Sequence, residues 1–161
     1  DYEDRVVFPL RDSKDKIVCF VGRHILSAGT PRYLNFPSGV EVPLFPAKIE
    51  DNSGTVILVE GIFDMLNLYD NGIRNVVATM GTQGLGSAKG LNKEKILGLK
   101  LQGIHKIVFL YDGDSPGQKA VEILKPHLEK SGFIVDNIEL PEDTDPGSLS
   151  KEDIRRLKTL L

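Results

Sequence analysis

Residues Thr55–Asp64, TVILVEGIFD, leave this chain few architectures. A Val/Ile/Leu run of this kind reads as a strand buried on both faces. It stops abruptly at Glu60-Gly61, and Asp64 follows one helical turn later. Gly61 permits a tight exit into a helix, and helical geometry returns Asp64 towards the strand end that carries Glu60. Lys106–Asp114, KIVFLYDGD, repeats the design, ending in Asp112 and Asp114 on either side of a glycine. Carboxylates at strand carboxyl ends stand where open α/β sheets bind their ligands.

Around these two stretches, strands alternate with helices. Thr55–Glu60 leads to a helix near Ile62–Asn71, with Gly72 as its stop. Asn75–Met80 is a second apolar strand, followed by the glycine-rich loop Gly81–Gly90 and a helix near Asn92–Gln102. Lys106–Asp112 is the third strand. A helix then runs from about Pro116 to Lys130, with a kink or break expected at Pro126. Phe133–Leu140 is a fourth strand, and Lys151–Leu161 is helical. This alternation implies an α/β fold with a mostly parallel sheet covered by helices on both faces; it leaves the strand order open.

Upstream the pattern differs. Asp4–Asp12 and Lys16–Arg23 are β-rich runs joined by a polar turn, an antiparallel hairpin. Arg11 and Arg23 punctuate these runs, and Arg32-Tyr33 follows the Gly29-Thr30-Pro31 loop. An irregular, proline-rich connection spans Pro37–Pro46. The expected organisation is a small β-rich segment over 1–50 and the α/β unit over 51–161. At 161 residues one good core is affordable and two ordinary domains are not. The chain opens on Asp1 and reads as an excised piece of a longer protein.

Charge and composition narrow the chemistry. A net charge of −3 gives no global attraction to nucleic acid, so such binding must come from a local patch. One cysteine, Cys19, rules out an internal disulfide and a multi-cysteine zinc site, so no zinc is expected in this chain. No apolar run reaches membrane-spanning length and no signal peptide opens the sequence. A cytoplasmic setting without membrane contact is expected. Glu60, Asp112 and Asp114, with Asp64, Asp143 and Asp145, could form one anionic cluster, and such carboxylates repel unless a cation or proton intervenes. Mg²⁺ and Mn²⁺ suit oxygen-rich sites and share substrate phosphates. The chemistry implied is phosphoryl or nucleotidyl transfer, with a pair of ions roughly 3.5–4 Å apart steadying the attacking and leaving oxygens.

VILVEGIFD, the Gly81-Thr82 pair and FLYDGDSPGQKA together resemble the Toprim domain of topoisomerases and primases. RVVFPLRDSKDKIVCFVGR and TPRYLN resemble the region preceding Toprim in bacterial DnaG-type primases, and the resemblance covers Arg5–Leu149. It implies a Toprim-like, mostly parallel sheet behind a small hairpin subregion, and primer synthesis from ribonucleoside triphosphates on single-stranded DNA. The catalytic acids it implies are Glu60, Asp112 and Asp114, with Glu60 as general base or metal ligand. Its metal ligands are Glu60, Asp64, Asp112, Asp114 and Asp145, for Mg²⁺ or Mn²⁺ as two ions. Its template and nucleotide contacts are Arg11, Arg23, Arg32 and Asn35. Where the family usually has Asp-Pro-Asp, this chain has Asp145-Pro146-Gly147. Either Asp143 substitutes for the missing acid or one metal site is weaker. A lysine common after RYLN has no match, since Ser38–Phe45 holds no basic residue. Activity of the isolated piece is not expected, and a replicative helicase would be met through domains outside this chain.

Singly, each acid has a plainer role: Asp114 before Ser115-Pro116 can cap a helix, and Asp64 suits a first helical turn. Lys89, Lys93 and Lys95 read as a solvated face, Gly81–Gly90 as a flexible loop, and Cys19 as buried. Two rival functions remain. One is another Toprim enzyme, a topoisomerase or nuclease that cuts DNA. The other is a non-catalytic nucleic-acid-binding module that keeps the fold without the site.

Overall fold

The computed structural model describes residues 2–26 and 28–161. Its amino-terminal part is an antiparallel sheet of β1 (Arg5–Arg11), β2 (Ile17–His24) and β3 (Tyr33–Phe36), in that order. The third strand escaped the sequence reading because four residues beside a proline-rich loop carry no period of their own. Leu10, Cys19 and Val21 alternate inwards from β1 and β2 and form a small buried cluster.

The larger part is a parallel sheet in the order β5 (Val76–Ala78), β4 (Thr55–Val59), β8 (Lys106–Phe109), β9 (Ile134–Asn137). Val56 to Val59 are all fully buried, as a strand covered on both sides requires. One face packs Val56, Leu58, Ile107 and Phe109 against α2 (Lys93–Leu101) and α3 (Ser115–Lys130). The other packs Ile57, Val59, Val76 and Val108 against α1 (Ile62–Asp70) and α4 (Lys151–Leu157). The chain leaves β4 through α1 on one face and β8 through α3 on the other. The β4–β8 junction is therefore the point where the winding reverses, and ligands enter such sheets there.

Three local expectations are corrected. Pro126 does not break α3, which continues to Lys130. Pro126 and Glu122, whose carbonyl loses its helical donor, are both exposed, so water can serve that carbonyl. The glycine-rich loop is ordered by a two-stranded ladder of β6 (Gly86–Ser87) and β7 (Gly90–Leu91). Lys95 is no member of a solvated face. Its side chain is largely buried, its ammonium donates to Gly84 O at 2.8 Å, and it lies 3.8 Å from a Glu41 carboxylate oxygen. Several contacts among the described residues tie the two sheets together. Phe45 makes an antiparallel bridge to Ala78 at the edge of β5, and Ile62 at the start of α1 joins the Leu10–Val21 cluster.

Candidate active site

Glu60 directly follows β4, and Asp112 stands three residues beyond β8, so the winding of the sheet places both at its reversal point. Among the described residues, Glu60 Oε1 and Asp112 Oδ1 are buried without a hydrogen-bond partner. Burial and the neighbouring Asp112 charge push the Glu60 carboxyl up to about 7; Asp114 and Asp64 add to this, while the Asp112 backbone amide opposes it. Asp112 is raised by burial, then by Asp145 and Asp114, and lowered by Arg32.

Asp64 occupies the first turn of α1. Its Oδ2 accepts from Gly61 N at 2.8 Å and its Oδ1 from Gly147 N at 3.1 Å. Burial and Asp112 nonetheless push it up to about 6, more than those two amides hold it down. Asp145 begins the short 3₁₀ turn Pro146–Ser148 and accepts from Ser148 N at 2.8 Å. Gly147 sits tightly between these acids: a Cβ there would lie 2.7 Å from Asp64 Oδ1 and 3.1 Å from Asp145 Oδ1. Asp143 is exposed and does not line the site. Asp114 caps α3, accepting from Gly117 N at 2.8 Å. It still stands near Glu60, because a Cβ on Gly117 would meet Glu60 Oε1 at 2.7 Å and Asp114 Oδ1 at 3.1 Å.

Across a cleft of about 550 Å³ from Glu60, Asp64, Asp112 and Asp145 stand Arg23, Arg32 and Asn35 from the antiparallel sheet and its loop. The Arg23 guanidinium lies 4.6 Å from the centre of the Phe63 ring and 5.5 Å from that of Tyr33, and its Nε is buried without a partner. Stacking of this kind orients a guanidinium while leaving its edge free for an anion. Tyr33 and Phe63 were missed in the sequence. The signal was an aromatic on the polar side of the first turn of α1, and a tyrosine next to Arg32. Arg11 is elsewhere. It sits at the turn end of the hairpin, exposed, donating to Asp15 O at 2.8 Å.

Among the described residues no three Asp, Glu, His or Cys side chains close round a common point. The donor set still fits a hard cation. Two half-buried carboxylates each present an unpartnered oxygen, and Mg²⁺ takes one or two carboxylates while keeping waters and substrate phosphates for its other positions. Acids facing cations across a cleft can hold a triphosphate between them, its oxygens reaching the arginines on one side and a cation on the other.

Comparisons with known proteins give the family. Residues 57–150 match the family described as Toprim-like, and residues 1–46 match the DNA primase catalytic core, N-terminal domain. A DNA primase of Aquifex aeolicus is 37% identical over 165 residues, covering 95% of this chain and 32% of the relative. The crystal structure of the zinc-binding and RNA polymerase domains of the Aquifex aeolicus primase superposes with a TM-score of 0.75 at 35% identity, over 99% of this chain and 40% of that one. A DnaG primase catalytic domain bound to single-stranded DNA superposes with a TM-score of 0.75 at 26% identity, over 98% and 51%. The chain thus spans about a third of the length of the Aquifex relative. By fold and sequence, it belongs to the Toprim-like family, joined to an amino-terminal segment that matches the DNA primase catalytic core, N-terminal domain.

Proposed function

We propose that this chain is part of a DNA primase catalytic core and joins ribonucleotides on a single-stranded DNA template. The observation that carries the reading is one cleft lined by Glu60 and Asp112, each with a buried unpartnered oxygen, together with Arg23 and Arg32. Glu60 and Asp112 hold a divalent ion, Mg²⁺ or Mn²⁺, with Asp114, Asp145 and Asp64 around them as further negative charge and as ligands for a second ion. When bound, the ion supplies Lewis-acid stabilisation of the charge that builds on phosphate oxygens. Arg23 and Arg32 bind phosphate, and Asn35 contacts nucleotide or template between them. Without an ion, burial and the surrounding acids hold the Glu60 carboxyl up to about 7, so a bound cation would offset the cost of ionising it. Residues 1–50 hold nucleotide and template, and residues 51–161 supply the acids. The isolated chain binds metal and DNA without completing primers, and any helicase is contacted by other parts of such a protein.

The test is ribonucleotide incorporation on single-stranded DNA by a chain of the relatives' full length. Replacing Glu60→Gln or Asp112→Asn should lower the rate at least about a hundredfold. Primer synthesis at the original rate in both variants would refute the assignment, and cleavage of the DNA in place of synthesis would point to a nuclease.

A further inference from the structure

The carboxyl ends of β4, β5 and β8 meet over one buried hydroxyl. Thr79, directly after β5, is fully buried, and it is the polar residue so placed among those described. Its Oγ1 lies 3.1 Å from Val59 O, 3.0 Å from Gly81 O and 3.0 Å from the Tyr111 hydroxyl. Tyr111 is fully buried as well, set edge-on to Phe109 with ring centres 5.1 Å apart. Each hydroxyl carries one proton; among the described residues the Tyr111 hydroxyl meets only Thr79, whereas Thr79 also meets two carbonyls. Tyr111 therefore donates to Thr79, and Thr79 donates onwards to the backbone.

The same turn grips the peptide that carries Glu60. Thr79 N donates to Val59 O at 2.8 Å and Gly81 N to Glu60 O at 2.9 Å. Between them Met80 is held at φ 65° and Gly81 at φ 103°, a left-handed pair that for methionine is costly and is retained where the surroundings enforce it. Tyr111 immediately precedes Asp112. The two hydroxyls thus join the backbone around Glu60 to the residue that delivers Asp112. Stability alone gives no reason for them, because replacing both partners of a buried hydrogen bond by apolar groups of the same shape is close to neutral.

We propose that the Thr79–Tyr111 hydroxyl pair is a positioning device, fixing the spacing of the Glu60 and Asp112 carboxylates for the divalent ion. This inference rests on the metal-site reading above. Neither residue touches substrate or ion, so both act through the strand ends.

The test is a calorimetric Mn²⁺ titration of the 161-residue chain beside its Thr79→Val, Thr79→Ser and Tyr111→Phe variants, each with its thermal unfolding curve. Thr79→Val and Tyr111→Phe should weaken Mn²⁺ binding about tenfold, as loss of outer support around a metal ligand does. Thr79→Ser keeps the hydroxyl and should bind as the original chain does, whereas Thr79→Val leaves the buried Tyr111 hydroxyl without an acceptor and should unfold at a lower temperature. Should Tyr111→Phe not fold, the Val and Ser variants at Thr79 decide the matter between them. Undiminished Mn²⁺ affinity in Thr79→Val, or an equal loss in Thr79→Ser, overturns the positioning role while leaving the metal site standing. Absence of Mn²⁺ binding in the original chain overturns the metal site itself.

Discussion

Glu60 is a residue held at a cost to the fold, and the cost has a pH dependence. Its carboxyl is raised from 4.5 to about 7, and that of Asp64 from 3.8 to about 6. Between these limits the folded chain retains protons that the unfolded chain has released, so stability falls as pH rises through the window. The metal-free chain should therefore melt at progressively lower temperature between about pH 5 and pH 7.5, and Glu60→Gln should flatten that decline. Parallel slopes for the two proteins would show that Glu60 is not the cause. Added Mn²⁺ should restore stability most at the upper end, since a cation binds the ionised form. Gly147 offers a second test. An aspartate there would force its Cβ against Asp64 Oδ1 and add a like charge. Gly147→Asp should destabilise the metal-free chain by about 1–2 kcal/mol, with part of the loss recovered in Mn²⁺. Unfolding curves with and without the ion check both halves.

At the scale of elements, the same side chain can serve a helix and a site, and α3 separates the two uses. Asp114 caps that helix through Gly117 N. Asparagine caps as well as aspartate, whereas alanine does not. Asp114→Ala should cost about 1 kcal/mol of stability and Asp114→Asn very little. If Mn²⁺ affinity falls equally in both variants, the charge matters to the site; if only Asp114→Ala binds more weakly, the cap alone matters. The elements themselves were legible to different degrees. β4 and β8 announced themselves as unbroken aliphatic runs, and the acids beyond them were readable because a charge after such a run must sit where the strand leaves the sheet. Thr79 and Tyr111 were not readable, because nothing local distinguishes a hydroxyl that meets its partner 32 residues away. The same holds for the order β5–β4–β8–β9, which depends on pairings that leave no trace in periodicity.

The molecule as a whole carries a net charge of −3, yet its cleft sets cations from one sheet against acids from the other. Long-range attraction does not favour DNA, so on the proposed function affinity comes from a few contacts in the cleft, and the number of those contacts is measurable. Each phosphate neutralised on a single strand contributes roughly 0.7 to the slope of log affinity against log salt. Arg23→Ala and Arg32→Ala should each lower that slope by about 0.7 on single-stranded DNA. Arg23→Lys should keep the slope and still weaken binding, because a lysine retains the charge without the planar stacking between Phe63 and Tyr33. Arg11→Ala is the comparison that gives the series its meaning. Arg11 matches the same sequence pattern as the other two but stands at the far end of the hairpin, engaged with Asp15. An unchanged slope in Arg11→Ala confines the strand to the cleft. A loss equal to that of Arg23→Ala would instead run the strand along the whole length of β1 and β2, and the cleft would then hold the nucleotide alone.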